Sequence, residues 1–467
     1  MPYPSLVGYP SGMAFTLIKQ GLVVDTEWMR HSDILVMGSK IVRVAPSIDE
    51  HSLPADTIVI HADGLCVLPG IIDAHTHYHL VSRGTVTADS FPEASKLAAY
   101  GGVTTVVDFA DDDKVSLPDS FNFRRRQMKP MAIDYALHQG VYKYREDIGE
   151  ELEQIKASGI GTLKIFTTYK DVGYLVEKRE ELSEIFRLAR DLGLMVTVHC
   201  EDDAIVTSIS ENWTGTYMPK DHPDLRPSEA EAEAIRYVGG IAHELDMPVY
   251  IVHLSSKAGL EAVRELRNDG AKLIVETTPH YLFLDRSKLE GPAGPLYVMT
   301  PPLRTKEDNM ALQEALVNGE IQVVATDHCT FTYEQKLANP DVRKTYPGIP
   351  GTEELLPMLN TFAQTTGKLS LSQLVNLLST GPAKYFGLYP EKGSLKEGSD
   401  ADIIIFDPDA PWTISKDTIH SAAGYSCYEG YNVMGKVVMT YLRGRLIMGD
   451  GIYLGISGDG KFLKVRR

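Results

Sequence analysis

The sequence predicts an α/β protein: a (β/α)8 TIM-like barrel with a small β-sandwich built from the N- and C-terminal segments. Three observations lead there. Eight short apolar runs alternate with helical stretches through the middle of the chain, which is the pattern of β/α units. Val/Ile-rich runs broken by Gly, Asp and Ser turn signals stand at both ends. At 467 residues the chain is also too long for one ordinary core, which fits a large barrel with a smaller companion. The expected division is 1–65 for the first part of the sandwich, 66–389 for the barrel, and 390–467 for the rest of the sandwich with an oligomer-contact tail.

The N-terminal strands are expected in TLIKQGLVVD, SDILVMGSKIVRVA and TIVIHADG as small antiparallel elements. Barrel strands are expected at 65–75, 102–110, 132–140, 162–169, 194–202, 249–256, 272–280 and 321–328. In KREELSEIFRLARDLG, Leu182, Ile185, Phe186, Ala189 and Leu192 recur at helical spacing and make one apolar stripe. Ser228 with Glu231, and Ser370 with Gln373, have the spacing of capping boxes. The polar, Pro-rich intervals 203–227, 283–304 and 329–350 read as loops over one barrel mouth. Strands return after residue 390 in ADIIIFDPDA, VVMTYLRGRLIMG and IYLGISGDGKFLKV.

Bulk composition excludes several classes. A net charge of -17 disfavours a general nucleic-acid or anionic-membrane surface, because such surfaces need excess Lys and Arg. Cys66, Cys200, Cys329 and Cys427 show no C-x-x-C pairing, so reduced thiols and a cytoplasmic location are expected. No run reaches the roughly 18 apolar residues of a membrane span. The opening MPYPSLVGYPSGMAFTLIKQ lacks the basic and apolar regions of a targeting segment.

In a (β/α)8 barrel the active site lies at the C-terminal ends of the strands. Polar residues accumulate there: His75 and His77 after the first strand, Lys164 in the fourth, His199 ending the fifth, His253 late in the sixth and Asp327 ending the eighth. Two-residue spacing sends both imidazoles of His75 and His77 to one side of an extended chain, where they can share a metal. Alone, that pair could be a hydrogen-bonded loop motif, His199 or His253 a satisfied core histidine, and Asp327 a turn or helix cap. Their joint arrival at one crown is the argument for a metal site.

Lys164 is the most diagnostic residue. An ammonium inside a barrel crown is costly to bury and has no acceptor with which to bind a cation. A salt bridge or a snorkelling amine would solve the first difficulty. Reaction with CO2 to a lysine carbamate solves both, because the charge becomes that of a two-oxygen anion able to bridge two metals. Four imidazoles, a carbamate and one aspartate then form a shell for two divalent metal ions, with zinc favoured by nitrogen-rich ligands. Two ions roughly 3.5–4 Å apart can share one water and acidify it to a bridging hydroxide, the expected nucleophile. Asp327 is the expected proton carrier between that nucleophile and a departing nitrogen.

The motifs LPGIIDAHTHYH, GTVTADSF, GGVTTVVDF, LKIFTTYK, VTVHCED, IVHLSS, ETTPHYL, TPPLR, ATDHC and YSCYEG occur in this order. With them the sequence resembles the dihydropyrimidinase and hydantoinase family of cyclic amidohydrolases. The resemblance implies hydrolysis of dihydropyrimidines or 5-substituted hydantoins, small-molecule cyclic amides, to N-carbamoyl amino acids. It implies His75 and His77 on the more buried metal with Asp327, Lys164 as the bridge, and His199 with His253 on the second metal. Tyr169 resembles the family tyrosine that contacts the substrate carbonyl and stabilises the intermediate. Substrate-binding main-chain groups carry over to Thr300, Pro347 and Gly348, with threonine where the family usually has serine and proline where it often has asparagine. His79 and Arg83 stand where the family commonly has an apolar stretch.

The resemblance further implies a homotetramer, with a dimer as the alternative. Allantoinase and dihydroorotase share the metal logic and stay open as activities. A non-catalytic, assembly-forming relative is the reading from another class; its mark is ligand loss, and all six ligand positions are filled here.

Overall fold

The computed structural model describes residues 14–112, 115–339 and 341–465. The opening thirteen residues, on which the targeting expectation rests in part, lie outside this range. No helix among the described residues is long and apolar enough to cross a membrane.

Eight parallel strands form the barrel: Ile71–Asp73 (β1), Val103–Ala110 (β2), Asp134–Gly140 (β3), Thr162–Phe166 (β4), Met195–His199 (β5), Val249–Ile251 (β6), Leu273–Thr277 (β7) and Val323–Val324 (β8). They pair in sequence order. Every residue of β2 is buried, as expected of strands covered on both faces. The helix Arg179–Asp191 buries Leu182, Ile185, Phe186 and Ala189, four of the five residues of the expected stripe, while Leu192 follows as its half-buried C-cap. Ser370 and Gln373 form their capping box. Ser228 and Glu231 do not. That helix starts after Pro227, and Glu231 turns inward to accept from the backbone and hydroxyl of Ser255, both at 2.8 Å.

The ladder does not pair β1 with β8 as strands. Closure comes from side chains and from the chain just beyond. Asp73 accepts from the Thr326 amide at 3.0 Å and its hydroxyl at 2.5 Å, and the His77 amide donates to the His328 carbonyl at 2.8 Å. The seam therefore lies beneath His75, His77 and Asp327.

The run expected as one strand at 65–75 is divided. Cys66–Pro69 joins the second sheet and only Ile71–Asp73 enters the barrel. Gly70 makes the transfer, because its backbone lies against Thr104 so closely that a Cβ would meet the Thr104 hydroxyl at 2.1 Å. The second sheet has nine strands drawn from both ends of the chain. Ile403–Thr413 pairs antiparallel with Cys66–Pro69, placing Ile403 opposite Pro69 and Phe406 opposite Cys66. The N-terminal strands are not all antiparallel as expected: Phe15–Val24 runs parallel to Ile58–His61 and Cys66–Pro69. The intervening segment returns the chain to its starting edge before each of those strands begins.

At the N-terminal face of the barrel, Asp134 opens β3 beside a buried lysine. Lys392 Nζ lies 2.6 Å from Asp134, 2.6 Å from Asp402 and 3.0 Å from Asp400. These three carboxylates are close enough together to hold a cation, and the ammonium is that cation. Burial pushes its pKa down, but the carboxylates outweigh burial and raise it. The C-terminal tail covers the same face, with Tyr135 donating to Lys461 and Leu463 donating back to Tyr135. The opposite mouth is left for chemistry.

Lys392→Met removes the ammonium that three buried carboxylates share, of which Asp134 keeps Arg443, Asp400 keeps Lys40 and Asp402 keeps no cation among the described residues. It should cost about 3–5 kcal/mol of stability, read by denaturant unfolding; a loss below about 1 kcal/mol, the level of an exposed pair, would refute the tether.

Candidate metal centre

The two-residue spacing places His75 and His77 against the same carboxylate. His75 Nε2 and His77 Nε2 each lie 3.3 Å from Asp327 Oδ1. The His77 ring stacks on Phe109 with centroids 4.5 Å apart. Across the crown, His199 Nδ1 lies 3.0 Å from His253 Nε2, and the His75 and His253 rings are 5.4 Å apart. Four strand ends thus bring four imidazoles and Asp327 to one place.

The proton positions follow from the carboxylates behind the rings. His75 Nδ1 is 2.8 Å from Glu276 Oε1. The Tyr250 hydroxyl donates to the other oxygen of Glu276 at 2.7 Å, and the His253 amide donates to Oε1 at 3.1 Å. These donors hold Glu276 as an acceptor against burial, which pushes its pKa up to about 7. On the far side, His199 Nε2 is 2.7 Å from Glu201 Oε2. Glu201 is clamped in turn by Arg226, at 2.7 Å from the same oxygen. Burial holds His75, His199 and His253 below their ordinary pKa of 6.5, so the rings are neutral with one proton each.

With the proton of His75 on Nδ1 and that of His199 on Nε2, the remaining nitrogens are bare lone pairs. One faces a carboxylate oxygen and the other faces a second imidazole. His77 Nδ1 and His253 Nδ1 are buried without a hydrogen-bond partner among the described residues. Lone pairs aimed at one another are satisfied by cations between them, so the donor set fits divalent metal ions.

Lys164 is 1% exposed, and its amine lies 4.9 Å from the centre of the Phe166 ring and 5.3 Å from that of Phe109. No carboxylate among the described residues pairs with it; Asp327 and Glu276 act on it only from farther away. Burial pushes the amine down to about 8. For Asp327, burial raises the carboxyl pKa, but His75 and His77 outweigh it and hold the group well below the usual carboxylate range.

Tyr169 closes the outer side. Its ring centre is 5.4 Å from that of His199, and the Arg226 guanidinium lies 5.0 Å over its face. Its phenol meets Thr300 and is pushed up by burial, so it stays a hydrogen-bond donor at neutral pH. The Thr300 hydroxyl is 3.4 Å from His222 Nε2. Gly348 donates its amide to Val298 at 2.9 Å, tying the Pro347–Gly348 turn to the Thr300 segment. A Cβ on Gly348 would meet the Cys329 carbonyl at 2.2 Å, so only glycine fits there. Tyr169, His253 and Asp327 all have positive φ, at 69°, 39° and 50°, a conformation that costs L-residues of order 1–3 kcal/mol and clusters at functional sites.

The sequence reading missed Glu201, Glu276, Arg226 and Tyr250. A signal for Glu201 was present, since it follows His199 by two residues, the spacing that makes His75 and His77 neighbours. Glu276 comes from β7 and reaches His75 from two hundred and one residues away, which no local pattern records.

Glu276→Gln and Glu201→Gln should each weaken divalent-metal binding by about 10–100-fold, measured by competition with a chromogenic chelator. Unchanged affinity in both would show that these carboxylates do not set the tautomers.

The amidohydrolase family profile matches residues 66–447. A D-hydantoinase of Ralstonia pickettii is 36% identical over 97% of this chain and 99% of its own length. The crystal structure of a dihydropyrimidinase from Brevibacillus agri superposes with a TM-score of 0.93 at 34% identity, over 97% of this chain and 100% of that one. An L-hydantoinase (dihydropyrimidinase) from Arthrobacter aurescens gives 0.87 at 28% identity, over 96% and 99%. A profile spanning most of the chain, and relatives aligned from end to end around a crown of imidazoles and carboxylates, lead to one conclusion: this chain belongs to the amidohydrolase family, in its hydantoinase and dihydropyrimidinase group.

Proposed function

We propose that the protein hydrolyses the cyclic amide bond of dihydropyrimidines or 5-substituted hydantoins to give N-carbamoyl amino acids. The observation that carries this reading is the convergence of bare imidazole nitrogens on Asp327 beside a buried amine with no counter-ion among the described residues. His75, His77 and Asp327 would hold one divalent ion, His199 and His253 the second, and Lys164 as its carbamate would lie between them. Zinc suits these ligands best. Metals bound there supply Lewis acidity and lower the pKa of water.

The protein's own groups do the rest. An amine whose pKa is pushed down to about 8 is partly neutral near pH 7.5, and the neutral amine is the form that adds to CO2, releasing one proton. Asp327 accepts the proton lost by water as its oxygen bonds to the ring carbonyl carbon. It passes that proton to the ring nitrogen as the C–N bond breaks, leaving a ureido group and a carboxylic acid, which loses its remaining proton to solvent as a carboxylate. Imidazoles on Oδ1 leave Oδ2 to carry the proton. Tyr169 donates to the carbonyl oxygen as negative charge develops there. Thr300 and the Pro347–Gly348 turn present main-chain groups to the ring. With its amide on Val298 and one lone pair of its carbonyl on Lys336, Gly348 has only the second lone pair of that carbonyl to offer the ring.

We further propose a homotetramer in a reducing, cytoplasmic compartment. Unpaired cysteines support the compartment. Ile452, Leu454 and Ile456, exposed at alternate positions beside the edge of the nine-stranded sheet, support self-association.

Hydrolysis of dihydrouracil, hydantoin, aryl-hydantoins, allantoin and dihydroorotate by the zinc-loaded protein should be fastest for the first three. Preference for allantoin or dihydroorotate would overturn the substrate assignment, and inactivity toward every ring with both metal sites filled would favour a non-catalytic role. Lys164→Ala should lose most of its metal, read by elemental analysis, and turnover by at least about 10²-fold; two tightly held metals in that variant would defeat the carbamate bridge.

A further inference from the structure

A second lysine is buried without a counter-ion among the described residues, away from the metal centre. Lys336 is 0% exposed and sits in the short helix Tyr333–Leu337, nine residues beyond Asp327. Its amine donates to three carbonyl oxygens: Val298 at 2.6 Å, Tyr346 at 2.8 Å and Gly348 at 2.9 Å. An ammonium has three protons, and all three are used. No carboxylate joins the cage among the described residues. Such a group is expensive to bury, and an apolar side chain of the same length would fill the space without that cost.

What the cage holds together gives it a purpose. Val298 stands two residues before Thr300, and Tyr346 and Gly348 flank Pro347. The amide bond from Gly348 to Val298 at 2.9 Å joins the same two segments. A short way back along the helix, Gln335 reaches the Thr85 hydroxyl at 2.7 Å, so the helix also grips the hairpin that carries Arg83. Backbone carbonyls repel one another when aimed at one point. Val298, Tyr346 and Gly348 can share a focus only because a cation occupies it.

We propose that Lys336 is a positioning residue that fixes the gap between the two main-chain segments facing the substrate, and so sets how the ring is held over the metal centre. The inference rests on the hydrolytic reading above, since only that reading makes the two segments substrate-facing. Lys336 does not touch the reacting atoms. It acts through the Thr300 segment and the Pro347–Gly348 turn.

The test compares wild type with Lys336→Met, which keeps length and removes all donors, and Lys336→Arg, which keeps the charge but moves it outward. Steady-state kinetics on hydantoin and an aryl-hydantoin are read beside metal content, melting temperature and amide hydrogen exchange. Both variants should keep their metals. KM should rise by about tenfold or more with kcat changed far less, as expected when positioning contacts shift by a fraction of an ångström. Exchange should quicken at Gly348 and in residues 298–300 together. A structural role alone would lower the melting temperature and leave KM and local exchange unmoved in the folded variant, and that result overturns the proposal. If Lys336→Met does not fold, an unchanged KM in folded Lys336→Arg overturns it equally. Inactivity of the wild type toward every ring would instead defeat the hydrolytic reading, while joint loss of exchange protection in the two segments would still report on the clamp.

Discussion

The crown depends on the hydrogen bonds that Glu276 and Glu201 accept from the outer nitrogens of His75 and His199. A neutral imidazole has one proton, and whichever nitrogen carries it cannot bind a metal. Carboxylates placed behind the rings settle that choice at 2.8 Å and 2.7 Å and send the lone pairs inward. Each carboxylate is itself fixed, Glu276 by Tyr250 and the His253 amide, and Glu201 by Arg226. Through Arg226 the second chain continues to the face of Tyr169, so ligand orientation and the proposed oxyanion donor share one scaffold.

The barrel accommodates this crown at some cost to regularity. Its first and last strands are short and do not pair with each other as strands, and Asp73 with Thr326 makes the closure instead. A continuous ladder would fix the backbone where His75, His77 and Asp327 must turn toward a common centre. Side-chain closure leaves it free to do so. The positive φ values of His253 and Asp327 express the same compromise, while the lower face is held by Lys392 among its carboxylates and by the C-terminal tail laid across it.

Three lysines buried in one chain show how differently an ammonium is accommodated. Lys392 meets three carboxylates, and its pKa rises despite burial. Lys336 meets three carbonyls, whose dipoles compensate less, and burial lowers it to about 7. Lys164 meets two aromatic faces and no hydrogen-bond acceptor among the described residues, in a crown where carbamylation would remove the charge altogether. The same side chain thus serves as tether, as clamp and as the proposed bridge, and its surroundings decide which.

Most of the barrel was legible in the sequence because strand periodicity and burial are local properties: the fourth strand appears at Thr162–Phe166, and the stripe on the helix at Arg179–Asp191 lies where spacing put it. The six proposed ligand positions were legible for a related reason, since strand ends in such a barrel must converge whatever the loops do. Local pattern misled where tertiary partners competed. Glu231 left its capping box for buried serine donors, and the run at 65–75 was shared between two sheets because Gly70 had to pass beneath Thr104. The sequence by itself named the residues proposed to bind metal. Only the tertiary structure decided which nitrogen of each imidazole is free to do so, because that depends on carboxylates delivered from other strands to within hydrogen-bonding distance.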